Sequence, residues 1–361
     1  MSSSSSSMRA ARFYGNRDIR VEDVPIPKAG PGECLVEVEW CGICGSDLHE
    51  YAAGPILMSP VDPKTGEARP LIFGHEFCGT LKSVPEGSKL QVGQAVMVDP
   101  HCICRSCASC AAGDDHVCPK LGFLGGSSGR GGGLSEYVAV EEVHCLPLPA
   151  NVSLDDAAVI EPLVVCHHAA KAAGMDLQGR NVLILGGGPV GAALMAVLRA
   201  HRVGMIMLSE PTAKRKEQAK AIVDRVIDPR TESVGDVCRE LTGGKGVDVV
   251  FDCAGVLPAL EAGFDALKRT GTFVNIAVWE KPIQLPFLQF FFKEIKVLSS
   301  CCYNDQDFKE VMELMAKGAF PGYEKMVTSR ISLEDAGPKG FEELVNHKDD
   351  QIKILISPKI R

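Results

Sequence analysis

The stretch Asn181–Gly191, NVLILGGGPVG, joins a short apolar run to a glycine-rich turn, and a helix-forming stretch, Val190–Arg202, follows at once. That order restricts the fold strongly. Gly186-Gly187-Gly188-Pro189-Val190-Gly191 satisfies G-x-G-x-x-G. Its first glycine permits a tight turn, its second lets a backbone approach a pyrophosphate, and its third lets helix and strand pack closely. The opening N–H groups of the helix then face the phosphates. Gly186, Gly188, Pro189, Val190 and Gly191 are therefore expected to bind a dinucleotide. Met205–Leu208, Val226–Asp228, Val247–Asp252, Thr272–Ala277 and Ile295–Leu298 read as further strands, with helical segments such as Thr212–Val223 between most of them. This alternation predicts an α/β fold with a doubly wound parallel sheet.

A dinucleotide site of this kind needs an acidic residue about 20 positions further on, at the end of the second strand. Glu210, in MIMLSEP, stands there. Its carboxylate can accept bonds from both ribose hydroxyls and repels a 2′-phosphate, which favours NAD over NADP. Lys214 and Arg215 follow closely enough to keep NADP in play, and Arg215 is counted with the cofactor-binding residues.

Residues before the glycine motif have another texture. Glu33–Trp40 alternates Val36, Val38 and Trp40 with Glu37 and Glu39, the pattern of a half-buried strand. Turns rich in Gly and Pro recur at Lys28–Gly32 and Pro85–Gly87, which predicts a β-rich barrel or sandwich. Inside this part lies CICRSCASCAAGDDHVC, residues 102–118. Cys104, Cys107, Cys110 and Cys118 give C-x2-C-x2-C-x7-C, a spacing that lets four thiolates close around one structural zinc ion. An iron–sulfur cluster is the competing use of such cysteines. Cys102 is left over.

A second cysteine group, CGICGSDLHE at residues 41–50, packs thiol, hydroxyl, carboxylate and imidazole together. A catalytic zinc takes about three protein ligands and keeps one position open. Cys44 is the candidate thiolate. His75 and Glu76, in GHE at 74–76, offer an imidazole and a carboxylate, and Glu161 offers a second carboxylate near the domain junction. The helical zinc-protease pattern HExxH is excluded, because residue 79 is glycine. A hydroxyl at Ser46 and an imidazole at His49 can relay a proton, or they can cap a short helix. Asp47 is placed either to fix the tautomer of His75 or to sit in the first turn of that helix.

On these motifs, together with GGGLSEY at 131–137, EPL at 161–163 and SEP at 209–211, the chain from about Met8 onward resembles the zinc-dependent medium-chain alcohol and polyol dehydrogenases. DLHEY, GPI, VCHHA, DCAG and NIAVW bring it nearest the butanediol branch, with the sorbitol branch next. The resemblance implies a GroES-like catalytic domain over 8–165 that carries the four-cysteine lobe. It further implies a Rossmann domain over 166–303 and a return to the catalytic domain over 304–361. It implies NAD and two zinc ions per subunit. Cys44, His75 and a carboxylate, Glu76 or Glu161, hold the catalytic zinc, and Ser46 and His49 carry the proton. The substrate class implied is a secondary alcohol or vicinal diol, with a sorbitol- or xylitol-type polyol as the alternative. A homodimer or homotetramer is also implied. A catalytically silent NAD-binding protein with structural zinc only is the reading from another class.

Composition agrees. The net charge of −8 argues against a nucleic-acid surface, and no apolar run nears the roughly 20 residues a membrane span needs. The start, MSSSSSSM, lacks the apolar core of a signal peptide, so residues 1–7 read as a polar disordered leader. Fifteen cysteines without such a signal read as thiols and metal ligands of a cytoplasmic protein. The Pro- and Gly-rich segment between His49 and His75 is expected to form a lid, with Ile56, Leu57 and Met58 either lining a pocket or packing the loop down.

Overall fold

A computed structural model describes residues 7–56, 70–279, 281–347 and 349–360 of the chain. Leu57 and Met58, and residues 1–6 of the leader, lie outside the described residues, whereas Ser7 already opens a strand, Ser7–Gly15. Ile56 is exposed, so it does not pack the loop onto a core. The chain divides into two compact units, Met1–Glu161 with Val327–Arg361, and Pro162–Met326.

The first unit is built on antiparallel pairing around the strand Glu33–Gly42, whose inward positions Cys34, Val36, Val38 and Trp40 are buried as the alternation requires. The largest sheet runs Cys145–Pro147, Ala95–Val98, Glu76–Ser83, Glu33–Gly42, Lys353–Ser357, Val327–Ser332, with Tyr137–Glu141 also paired to Glu33–Gly42. The terminal strand expected from Gln351 to Ile356 is thus present as Lys353–Ser357 and lies inside the sheet of the first unit, between Glu33–Gly42 and Val327–Ser332. Register matters here. Gly42 stands opposite Glu76 on one side and Leu355 on the other, so three distant segments meet at the end of one strand. The approach is close enough that a Cβ on Gly42 would lie 2.2 Å from Glu76 Oε2.

The second unit contains a six-stranded, wholly parallel sheet in the order Arg225–Ile227, Met205–Ser209, Asn181–Leu185, Val247–Asp252, Leu267–Asn275, Lys296–Ser299. Numbered along the chain this is 3-2-1-4-5-6, the doubly wound dinucleotide-binding order. The strand expected at Thr272 begins at Leu267, five residues earlier. The helix expected over Thr212–Val223 is shorter, Ala213–Ala219, because the chain must turn back to feed the next strand.

The domain boundary needs correction. The sequence places the return to the first unit at residue 304, but the structure places it at Val327, and the first junction falls after Glu161 rather than 165. The cause is a polar cluster. Helix Asp305–Ala316 is held to helix Ile160–Ala172 by Asp307, which meets His168 Nδ1 at 2.6 Å and Lys171 Nζ at 2.7 Å. Glu310 meets His167 Nε2 and Lys171 Nζ, both at 2.9 Å. His201 adds a contact to His167 Nδ1 at 3.1 Å, and burial together with that neighbour pushes His201 down to about 4. Among the described residues, no helix is long and apolar enough to cross a membrane.

Candidate active site and metal centres

The four-cysteine lobe is assembled by local backbone geometry. Cys107 caps a short helix, Ala108–Ala112, accepting the N–H of Cys110, and Arg105 takes a positive φ of 55° to turn the chain between the first two cysteines. Sulfur separations are 3.5 Å for Cys104–Cys118, 3.5 Å for Cys107–Cys110, 3.9 Å for Cys107–Cys118 and 4.0 Å for Cys104–Cys110. Four sulfurs about 2.3 Å from a central zinc stand about 3.8 Å apart in a tetrahedron, so the donor set fits that ion. Backbone bonding at Ser106 helps pull Cys104 down to about 6, towards the thiolate a metal needs.

The cysteine group at residues 41–50 builds a different site. Cys44 is the N-cap of helix Gly45–Ala53, and Asp47 Oδ2 accepts its backbone N–H at 3.0 Å. The other oxygen, Asp47 Oδ1, lies 3.3 Å from His75 Nδ1. The two placements read for Asp47 are therefore not alternatives: one carboxylate caps the helix and faces the imidazole. Ser46 and His49 do not supply the cap. They sit on one helical face, three residues apart, with Ser46 exposed and His49 half-buried.

His75 comes from the turn before strand Glu76–Ser83. That turn is backed by the glycine run at 131–133, where Gly133 N–H donates to Gly74 O at 2.8 Å and Leu134 N–H to Phe73 O at 2.9 Å. A Cβ on Gly133 would lie 2.4 Å from the Phe77 side chain, so the GGG of GGGLSEY is a packing requirement of the GHE turn. Ligand atoms of Cys44, His75 and Glu76 all lie within 4.8 Å of one another. Glu161 does not share that set, yet it stands within electrostatic reach. Burial first, then the Glu76 charge, push it up to about 8.

Sequence reasoning missed one member. Lys353, fully buried, places Nζ 2.7 and 2.6 Å from the two oxygens of Glu76 and 3.1 Å from Ile43 O. Burial alone would lower its pKa, but the Glu76 carboxylate outweighs that and holds the ammonium above its usual value. A lysine inside the apolar run Ile352–Ile356 was the available signal. The site thus gathers Cys44, Asp47, Glu76 and Glu161 around Lys353 and His75. Burial of His75 lowers its pKa, yet Asp47 and Cys44 raise it well above the usual value. A half-buried thiol with a buried imidazole and a buried carboxylate is a donor set that fits a zinc ion.

In the second unit the glycine motif has the expected form. Gly188 is the N-cap of helix Pro189–Ala200, with Pro189 as its first residue, so the helix start needs no N–H there. Gly186 has φ 91°, and a Cβ on Gly191 would lie 2.0 Å from Gly186 O. Glu210 is buried at the end of Met205–Ser209. It accepts N–H bonds from Gly187 at 2.6 Å and Thr212 at 2.7 Å, which pins the carboxylate beside the turn. Arg215 leans over the same turn, its Nη1 being 3.8 Å from a Cβ built on Gly188.

Residues 30–150 match the alcohol dehydrogenase GroES-like domain, and residues 189–317 match the zinc-binding dehydrogenase domain. The chain is 36% identical over 359 residues to an (R,R)-butanediol dehydrogenase of Neisseria gonorrhoeae, covering 98% of this chain and 100% of that one. An (R,R)-butanediol dehydrogenase of Saccharomyces cerevisiae is 35% identical, across 97% of this chain and 98% of its own. Among solved structures, 2R,3R-butanediol dehydrogenase from Bacillus subtilis matches with a TM-score of 0.88 at 35% identity, covering 98% of this chain and all of that one. With likeness of that extent through both units, the chain belongs to the zinc-binding alcohol dehydrogenase family.

Proposed function

We propose that this protein is an NAD-dependent zinc dehydrogenase that moves a hydride between a vicinal diol of the 2,3-butanediol type and the corresponding hydroxyketone. The observation that carries the reading is a thiol–imidazole–carboxylate set, half-buried at Cys44 and buried at His75 and Glu76, in a chain whose near full-length relatives are named for that substrate. Bound zinc supplies a Lewis acid that makes a hydroxyl acidic near neutral pH, and bound NAD supplies the hydride acceptor. Cys44, His75 and Glu76 would hold the catalytic zinc, with Glu161 the alternate carboxylate, and Cys104, Cys107, Cys110 and Cys118 would hold the structural one. Asp47 turns Nδ1 of His75 towards itself, which leaves Nε2 for the metal and fixes the ring. Ser46 takes the substrate's hydroxyl proton and His49, one turn along the helix, passes it on towards water. The residues read in this way act in a reducing, cytoplasmic setting, where the fifteen cysteines, free of disulfides here, stay reduced.

Initial rates over 2,3-butanediol, sorbitol, xylitol and simple secondary alcohols, each with NAD and with NADP, test the reading. The highest kcat/KM is expected for butanediol with NAD. If zinc-loaded protein forms no NADH from any of them, the substrate class is wrong. Preference for NAD rests on Glu210, whose charge would face a 2′-phosphate. Glu210→Ser is expected to lower the NAD-to-NADP ratio of kcat/KM by about tenfold or more, equivalent to about 1.4 kcal/mol.

We also propose a homodimer formed through the second unit. Strand Lys296–Ser299 is an edge of the parallel sheet, and the preceding helix, Phe287–Lys293, exposes Phe287, Leu288, Phe291 and Phe292. An open edge beside an apolar patch invites aggregation unless covered, and a two-fold partner presenting the same strand covers both at once. Light scattering on the eluted wild type should give twice the chain mass, and Phe291→Asp should shift it to the monomer. A wild type that is monomeric at micromolar concentration rules the interface out.

A further inference from the structure

The segment after the edge strand, Ser299-Ser300-Cys301-Cys302-Tyr303, holds two adjacent cysteines that the dehydrogenase reading does not use. In extended backbone, neighbouring side chains point to opposite faces. Here they do not. Cys302 takes a left-handed φ of 53°, an unfavourable conformation for a residue with a side chain, and the two sulfurs come to 3.4 Å. The kink is anchored on both sides. Ser300 N–H donates to Asn275 O at 2.9 Å. Tyr303 is fully buried against Phe308, with ring centroids 5.5 Å apart, and Asn304 caps the next helix by accepting the N–H of Asp307 at 2.9 Å. In the single chain Cys301 is exposed and Cys302 half-buried, and the pair lies just beyond the edge strand of the proposed dimer.

We infer that Cys301 and Cys302 form a preorganised dithiol site for a soft, thiophilic centre that accepts two thiolates at once, the trivalent arsenicals being the class. Backbone anchoring brings the second sulfur to the ligand at little further ordering cost, which is the basis of chelation. Oxidation of the pair to a disulfide is the poorer outcome. Adjacent Cα atoms across a trans peptide are about 3.8 Å apart, below the usual disulfide minimum of about 4.4 Å, so the bond would be strained and readily reduced. The partner thiol and the nearby His168 pull Cys301 down to about 6, which supplies a thiolate to start the reaction. With phenylarsine oxide the balance is simple. Two S–H bonds break, two As–S bonds form, the oxygen leaves as water, and arsenic stays trivalent. Of the other thiols outside the two metal sites, Cys34, Cys41, Cys78, Cys145, Cys166 and Cys238 are buried, and Cys102 and Cys253 are half-buried, with burial raising the pKa of both.

The test uses the full-length, zinc-loaded protein with one equivalent of phenylarsine oxide and excess mercaptoethanol, read by native mass and zinc content. One adduct per chain is expected, with both zinc ions kept, and 2,3-dimercaptopropanol should strip it. Cys301→Ala and Cys302→Gly, the latter free to take the left-handed backbone, should each raise the apparent Kd by about 10²-fold or more. No adduct on the wild type, equal adducts on either variant, or an adduct that expels zinc would each overturn the assignment.

Discussion

Cys44→Ser is expected to lower kcat/KM for diol oxidation by about 10³-fold or more, on the order of 4 kcal/mol of transition-state stabilisation, and to lower bound zinc from two ions per chain to one. The substitution separates chemistry from folding unusually well. Cys44 is the N-cap of Gly45–Ala53, and serine is among the preferred N-cap residues, so the helix and the Asp47 contact to the residue 44 N–H should survive. The lobe at 104–118 draws its donors from its own short segment and should keep its ion. Elemental analysis, NADH formation and thermal melting together give the answer. An unchanged two zinc ions would remove Cys44 from the catalytic centre. One zinc in the wild type, unaltered by the substitution, would favour a silent NAD-binding protein with structural metal only.

What the sequence made legible depended on range. The turn at Gly186–Gly191 and the four-cysteine spacing are local rules, because backbone sterics and tetrahedral closure act over a few residues, and both appear as read. The parallel strands were legible from apolar runs alone, with ends shifted by tertiary pairing, as at Leu267. Features made by contact between remote segments were not. Nothing local says that Asp307 and Glu310 will bind His168, His167 and Lys171, which is why the domain return was placed more than twenty residues early. The choice between Glu76 and Glu161 stayed open for the same reason, since it turns on Lys353, 277 residues beyond Glu76 in sequence.

That lysine carries the second large effect. Lys353→Met is expected to destabilise the protein by about 3–5 kcal/mol, because it leaves the Glu76 carboxylate buried without its cation. In a chain of this size the melting midpoint should drop by about 4–7 °C. The loss should be larger in chelator-treated protein than in zinc-loaded protein, since a dication at Cys44, His75 and Glu76 compensates the same carboxylate from the other side. Glu76→Gln should also be costly, as it strands Lys353. The double variant Lys353→Met with Glu76→Gln should recover part of the sum, giving a coupling of about 1–3 kcal/mol between two side chains in direct contact. Thermal or urea melts of the four proteins, with and without zinc, close the cycle. Strict additivity would mean that the two groups do not balance each other, and a loss independent of zinc would mean that Glu76 faces the lysine alone and that the third metal position belongs to Glu161.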